Sequence, residues 1–431
     1  MSPGDTRAQC LRATAADLQI WGFPRIFAQR LRFRFTQPFT PNAPRPPTSA
    51  GAPINTMGHQ RRLADPTSSS GVAPNVDTLY SLAFLDLDGE PFTVRLPDFG
   101  TRYYSVQIGE ADSSTAAVLG RRTHGPRVPE ILIRRDNRPS PAPAGALVVA
   151  CRSRFVMVAV RILVDPGDEH DLRTVVGLQD RIEVTGSHRP DPATPQSVAA
   201  RNRADELHRP AAFLDSLEHA CAGLPDTDIP AWVRRARHDL RAVLDDATLL
   251  PAIAHGLRDG LDAIEHHVKA LGRTVNGWAI NTRGTDFGDD HLLRAAVAYS
   301  QVYINPAEEA LYPICEMDDR NEQLNGSREY RLTFAADRFP PVAFFWSLTV
   351  YHIKGLLYDN EIDRYAISDR TAGLRPNPDG SLTIHLQTAR PTDPDANWLP
   401  CPPGDFRLMM RLYGVLDPTW SPPMVRRKQC D

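Results

Sequence analysis

Apolar residues recur with two different periods along this chain. From Leu79 the period is two: Phe92, Val94 and Leu96 alternate with Thr93 and Arg95, and Tyr104, Val106 and Ile108 alternate with Ser105 and Gln107. Further apolar runs at 131–133, 147–151 and 155–160 are separated by Gly, Pro and Asp clusters. Short strands at that spacing predict a sandwich or barrel.

Between residues 197 and 303 the period becomes helical. Trp232, Ala236, Leu240, Val243 and Leu244 fall on one face, as do Leu292, Ala295, Ala296, Tyr299 and Val302, with Asp290 placed to cap the second helix. Alternation returns at Tyr330: Phe344, Trp346, Leu348 and Val350 face one way, and so do Leu382, Ile384, Leu386 and Phe406, Leu408, Met410, Leu412. Asn377-Pro378-Asp379-Gly380 supplies a turn before Leu382. Residues 13–32 read as an amphipathic helix interrupted at Pro24, and 36–51 as a proline-rich connector. The predicted fold is mainly β with a helical insertion (α+β): helix and connector over 1–50, a first β domain over 51–195, a helical segment over 196–322 and a second β domain over 323–431. No repeat of 20–50 residues marks a solenoid or propeller.

At 431 residues the chain exceeds the size at which one core stops growing, which fits two core-bearing units. A net charge of −3 with mixed signs argues against nucleic acid as a partner, and Arg426-Arg427-Lys428 reads as a solvated tail. Only three of the 49 basic residues are lysine; Lys354, beside an apolar run, is the one suited to Schiff-base chemistry. The six cysteines are scattered, with no C-x-x-C pair, so neither zinc nor a disulfide framework is expected. No segment is long and apolar enough to span a membrane, and the polar N-terminus lacks a secretory core, which predicts a cytoplasmic protein.

An ordered series of strings resembles the two-domain family that joins domains of unknown function 1254 and 1214. In the first half these are Met57-Gly58-His59-Gln60-Arg61-Arg62-Leu63, Pro74-Asn75-Val76-Asp77-Thr78-Leu79-Tyr80-Ser81 and Asp98-Phe99-Gly100-Thr101-Arg102-Tyr103-Tyr104-Ser105. Gly277-Trp278 and Arg294-Ala295-Ala296 follow in the middle. The second half adds Phe345-Trp346-Ser347-Leu348-Thr349-Val350-Tyr351, Arg364-Tyr365, Asn397-Trp398-Leu399-Pro400 and Arg411-Leu412-Tyr413. The resemblance implies two jelly-roll-like β-sandwich domains with helices packed around them, and assembly as a homo-oligomer. It implies no catalytic residues, because the family has no settled activity. Two departures stand out: the family includes exported members, and its Gly-Thr-Arg-Thr string is here Gly120-Arg121-Arg122-Thr123-His124-Gly125.

P-loop, G-x-S-x-G, G-x-G-x-x-G and H-E-x-x-H patterns are missing. Catalytic candidates are Asp77, Arg102, Tyr103 and His59. Asp77 can serve as a general base, with Arg102 holding it ionised or clamping a substrate carboxylate; the competing reading is that Asp77 and Thr78 bond local amides and Arg102 is a structural partner. His59 suits acid–base work if the fold supplies a partner. Ligand-binding candidates are Asn75 and Tyr80, then Tyr351, Arg364, Asn397, Trp398 and Arg411, with Trp398 as an aromatic platform. Neither metal nor cofactor is expected. Three functions remain: an enzyme of small-molecule, specialised metabolism working by acid–base chemistry (hydrolysis or elimination), a non-catalytic sugar or small-ligand binding module, or a structural oligomer-forming protein.

Overall fold

The computed structural model describes residues 3–37, 44–68, 73–186, 198 and 201–428. The first β unit contains β1 (Gly58–His59), β2 (Thr78–Asp86), β3 (Phe92–Arg95), β4 (Tyr104–Gly109), β5 (Thr115–Gly120), β6 (Ile131–Arg135), β7 (Leu147–Cys151), β8 (Phe155–Leu163) and β9 (Glu183–Thr185). They form two sheets, in the orders β1-β2-β8-β4-β5 and β7-β6-β3-β9. Leu79, Val106, Val158 and Ile162 of one sheet and Phe92, Val94, Ile131 and Ile133 of the other share one core, as the two-residue period requires.

The second unit contains β10 (Arg273–Val275), β11 (Trp278–Ile280), β12 (Ala310–Leu311), β13 (Ile314–Cys315), β14 (Tyr330–Phe334), β15 (Val342–His352), β16 (Ala366–Ser368), β17 (Leu382–Gln387), β18 (Asn397–Pro400), β19 (Phe406–Val415) and β20 (Arg426–Arg427). Its larger sheet runs β10-β11-β13-β19-β15-β16, with β12 also on β19, and its smaller sheet runs β18-β17-β14-β20. Four of these strands lie in the span expected to be helical. Trp346, Leu348, Leu382, Ile384, Leu408 and Met410 fill the core between the sheets. Phe344 is the exception to its alternation: a register shift between Val342 and Phe345 turns it to the other face, where it packs on Tyr103.

The two units have the same topology. In both, the smaller sheet joins an antiparallel pair (β3–β6, β14–β17) to a parallel one (β6–β7, β17–β18), with an antiparallel edge strand (β9, β20). In the larger sheets β8 and β19 are central, flanked by β4 and β15 on one side. On the other side β2 corresponds to β12 and β13 together, which pair with β19 in one register interrupted at Pro313. Strand by strand, β2 through β9 repeat as β12/β13 through β20. Short strings follow the same alignment: Asp77-Thr78-Leu79-Tyr80 matches Glu309-Ala310-Leu311-Tyr312, and Cys151 matches Cys401, each just before the central strand.

Helices fill the space beside the first unit. The N-terminal helix, Pro3–Thr36, is longer than expected and runs through Pro24. It buries Leu11, Ala15, Leu18 and Trp21 against the helices Pro210–Cys221, Ala231–Arg241 and Leu250–Val268. Contact with the last of these is close enough that a Cβ on Gly256 would sit 2.1 Å from the Arg12 carbonyl. Asp290 caps the helix His291–Gln301, accepting from the Leu293 amide at 2.9 Å. Trp232, expected on a buried face, is exposed; Val233, Ala236 and Leu240 are the buried positions of that helix. Arg427, read as part of a solvated tail, pairs with Asp318 and Glu322, and its strand closes the smaller sheet. Among the described residues, no helix is long and apolar enough to cross a membrane.

Candidate functional site

Each larger sheet has one face in its own core and one face turned outward, and the two outward faces meet. On the first sheet this face carries Tyr80 (β2), Arg161 (β8) and Ser105 and Gln107 (β4); Tyr80 pairs with Arg161, and Arg161 with Ser105, so the three form one cross-strand row. The second sheet repeats the row. Ser347 pairs with Arg411, and continuing the β12 register places Tyr312 opposite Arg411. Thr349 corresponds to Gln107, and Tyr351 to Gly109.

Contacts across this junction are reciprocal, as in an isologous interface. The segment leading into β2 lies on the second sheet. There Ser347 donates to the buried Asp77 carboxylate at 2.6 Å, Arg370 stands 3.7 Å from that carboxylate, and Asn75 donates to the Tyr413 hydroxyl at 2.9 Å. The segment leading into β12 lies on the first sheet: Tyr103 donates to Glu309 at 2.7 Å, and Gln107 donates to the Ile304 carbonyl at 3.1 Å. Tyr103 also meets its own counterpart, Phe345, edge-on at 5.5 Å between ring centroids. Arg122, on the short helix Arg121–His124 where the chain departs from the family string, bonds Glu309 at 2.7 Å.

The two buried arginines differ in how fully they are satisfied. Arg411 donates to Thr349 (2.9 Å), to the Ala73 carbonyl (2.8 Å) and to the Tyr351 hydroxyl (2.7 Å). Arg161 donates to Gln107 at 2.8 Å and stacks with its Cζ 5.2 Å from the Tyr80 ring centroid, while its Nη1 has no aligned acceptor. The phenols respond in opposite directions. Burial pushes Tyr80 up, but the Arg161 charge, an Asn75 hydrogen bond and Arg411 outweigh it and hold the phenol below its ordinary value. Tyr312 is pushed up to about 12, because burial there exceeds the opposing pull of Arg161 and the Asn305 hydrogen bond. Both residues are only partly buried.

Of the sequence candidates, the junction gathers Asn75, Asp77, Tyr80, Tyr103, Tyr351 and Arg411. Arg102 is not the partner of Asp77: it makes a bidentate pair with Asp171, one bond at 2.9 Å, and donates to the Leu163 carbonyl. The amides at the start of β2 are bonded by Asn75, at 2.7 Å to Asp77 and 3.3 Å to Thr78, rather than by Asp77. His59 lies on the opposite face of β2, its Nδ1 2.8 Å from Ser81, and burial together with Arg61 lowers it to about 4.

Asn397 and Trp398 sit away from the junction on β18 of the smaller sheet, where Arg364 reaches them from the loop before β16. Asn397 bridges Arg375 and Thr383 backbone, and Arg364 bonds the Trp398 carbonyl. Trp398 is buried and donates to the Gln387 carbonyl, so it offers no exposed stacking platform, although its edge lines an open depression of about 620 Å³ with Tyr358, Asn360 and Arg390. Lys354 is exposed and so lacks the desolvation that Schiff-base chemistry needs. Sequence reasoning missed Arg161, Ser105, Tyr312, Glu309 and Ser347. The available signal was arginine on the outward parity of a largely apolar strand, Arg161 in Phe155–Leu163 and Arg407 with Arg411 in Phe406–Val415. Among the described residues, no three His, Cys, Asp or Glu side chains gather as a metal site needs.

The fold and this junction define a duplicated double sandwich with a shared polar interface. The chain belongs to the two-domain family of proteins of unknown function whose profiles, DUF1254 and DUF1214, match residues 54–186 and 309–417. Its fold is similar to that of the VPA0106 protein of Vibrio parahaemolyticus, at 20% identity and a TM-score of 0.69 over 97% of this chain and 100% of that one. An uncharacterised protein of Burkholderia cenocepacia aligns at 14% identity and a TM-score of 0.48, over 99% of this chain and 89% of that one. No curated protein matches.

Proposed function

We propose that the protein is an acid–base enzyme acting on a small molecule at the junction of its two sandwiches, with Tyr80 as base and Tyr312 as acid. One observation supports this most: two topologically equivalent tyrosines flank the same buried guanidinium, and their environments push them in opposite directions. Pairs of titratable groups driven apart in this way divide the roles of proton acceptor and donor between them.

The reaction class this suits is elimination. The Tyr80 phenolate accepts a proton from carbon, and the C–H bonding pair becomes the new double bond. The leaving group departs from the adjacent carbon with its own bonding pair and takes the Tyr312 proton, and the net proton transfer is reversed through solvent. Hydrolysis is less well served, because the Asp77 carboxylate is engaged by Ser347 and Arg370. The jelly-roll-like description of each sandwich belongs to the same reading: two facing sheets favour it, and the parallel β6–β7 and β17–β18 pairs are additions to that plan.

The test incubates a panel of small organic acids with the protein in deuterium oxide and reads carbon-bound exchange by mass spectrometry, alongside an ultraviolet titration of tyrosinate. Wild type is expected to exchange at least one panel member and to show a phenol ionising early, both lost in Tyr80→Phe. Exchange undiminished in Tyr80→Phe, or no early-ionising phenol in wild type, overturns the assignment.

A further inference from the structure

The duplication lets one half of the molecule be compared with the other. In the second half, the row Tyr312–Arg411–Ser347 is complete: the serine holds a carboxylate, that of Asp77, and every amino group of the arginine has an acceptor. In the first half, the same row has open valences. Ser105 Oγ and Arg161 Nη1 in the row, Thr78 Oγ1 beside it and Asn305 Oδ1 on the segment that overlies it are buried with no aligned hydrogen-bond partner, although the Ser105 hydroxyl is within reach of Tyr103 and the Arg161 guanidinium within reach of the Tyr80 phenol. Ser105 and Thr78 are wholly enclosed, and Arg161 is 7% exposed. Buried polar atoms are rarely left unpaired, because each forfeits the hydrogen bonds water would give it; four gathered at one junction mark a place for something else.

Two substitutions between the halves account for the difference. The counterpart of Asp77 is Glu309, one methylene longer, and it reaches Tyr103 and Arg122 instead of Ser105. Tyr351, whose hydroxyl satisfies Arg411, corresponds to Gly109, where the Tyr303 ring occupies the space: a Cβ there would lie 2.6 Å from it. Arg161 is therefore left facing three phenols, Tyr80, Tyr312 and Tyr413. A buried guanidinium without a carboxylate is electrostatically incomplete.

We propose that the first half-site binds the carboxylate of a small organic acid, held by Arg161 and Ser105 as Ser347 holds Asp77, with Asn305 Oδ1 accepting from a neighbouring hydroxyl of the ligand. A guanidinium and a hydroxyl donate to a carboxylate in charge-assisted bonds. The orphaned acceptor on Asn305 selects a ligand that also carries a donor, so 2-hydroxy acids fit better than simple acids. The orphaned atoms themselves are closed off from solvent, so entry passes the partly accessible residues Tyr80 and Tyr312. The inference takes its location from the proposed acid–base site and names that site's substrate class, yet binding stands whether or not Tyr80 moves a proton.

The test measures binding of lactate, acetate and inorganic phosphate to the full chain by titration calorimetry, with Ser105→Ala, Arg161→Gln and Ser347→Ala beside wild type. Lactate is expected to bind saturably and more tightly than acetate. Ser105→Ala should weaken it about tenfold, the worth of one hydrogen bond to a charged group, and Arg161→Gln should abolish it. Ser347→Ala should retain it, so a protein that binds lactate saturably yet exchanges no member of the acid panel sinks the acid–base reading and leaves this one standing. If Arg161→Gln does not fold, Ser105→Ala with a crystal grown in lactate decides. No saturable lactate binding, binding indifferent to Ser105→Ala, phosphate preferred over lactate, or only ordered water on Arg161 Nη1 in that crystal each overturn the proposal.

Discussion

Removing the Asp77 side chain tests whether the junction is held together by specific bonds or merely by contact. The Ser347 hydroxyl donates to this buried carboxylate at 2.6 Å across the junction, and Arg370 lies 3.7 Å away. A hydrogen bond to a charged group contributes about 1.5–3 kcal/mol, and its loss leaves the serine donor buried without a partner. Asp77→Ala is therefore expected to cost about 3 kcal/mol. At roughly 2 cal/mol/K per residue, the unfolding entropy of a chain of 431 residues is near 0.9 kcal/mol/K, so the midpoint of thermal unfolding should fall by about 3 °C. The decisive measurement is a double-mutant cycle by scanning calorimetry with Ser347→Ala. Because each single change breaks the same bond, the double variant should lose about 1–2 kcal/mol less than the sum of the two. Strict additivity would refute the reasoning, since it would mean that the two side chains do not act on each other.

Two further perturbations follow from the electrostatics. His59 is lowered to about 4 by burial and by Arg61, below its ordinary 6.5, so the unfolded chain takes up a proton there before the folded one does. Its stabilising contribution is complete above pH 6.5 and is lost as pH falls towards 4; thermal midpoints measured across that window should decline less steeply in His59→Gln. Asp112 is held at about 2: burial raises it, and Arg294, Arg25 and Arg152 outweigh burial. That contribution is lost only as pH falls from near 4 towards 2, and Asp112→Asn, which strands three guanidinium groups from two helices and a loop, should cost about 3 kcal/mol or more in denaturant unfolding.

The strands were legible wherever one face is dry. Val94, Val106, Ile384 and Leu408 lie in cores because two-residue alternation leaves them no other face. Phe344 broke the pattern through a bulge, which alternation alone does not reveal. The outward face was harder to read, because it is also buried, by the other unit: Tyr80 and Arg411 were found as ligand candidates, but nothing in the alternation brings them, or Ser105, onto two facing sheets. Arg102 and Asp77 share a family string in neither sequence nor space, and the pairing of Arg102 with Asp171 depends on a helix, Glu169–Gln179, that carries no marker of its partner. The duplication stayed hidden because what the halves share is strand order, with only scattered identities such as Leu79 with Leu311 and Tyr80 with Tyr312.

Carrying both sandwiches on one polypeptide has a consequence for how the junction can evolve. In a homodimer every substitution appears twice, once on each side of the axis, so neither side can become acidic where the other is basic. Here glycine stands on one side where the other has tyrosine, Gly109 against Tyr351, and glutamate stands where the other side has aspartate. Fusion releases the axis from symmetry, so the two walls of the junction are free to differ at positions where a homodimer's could not.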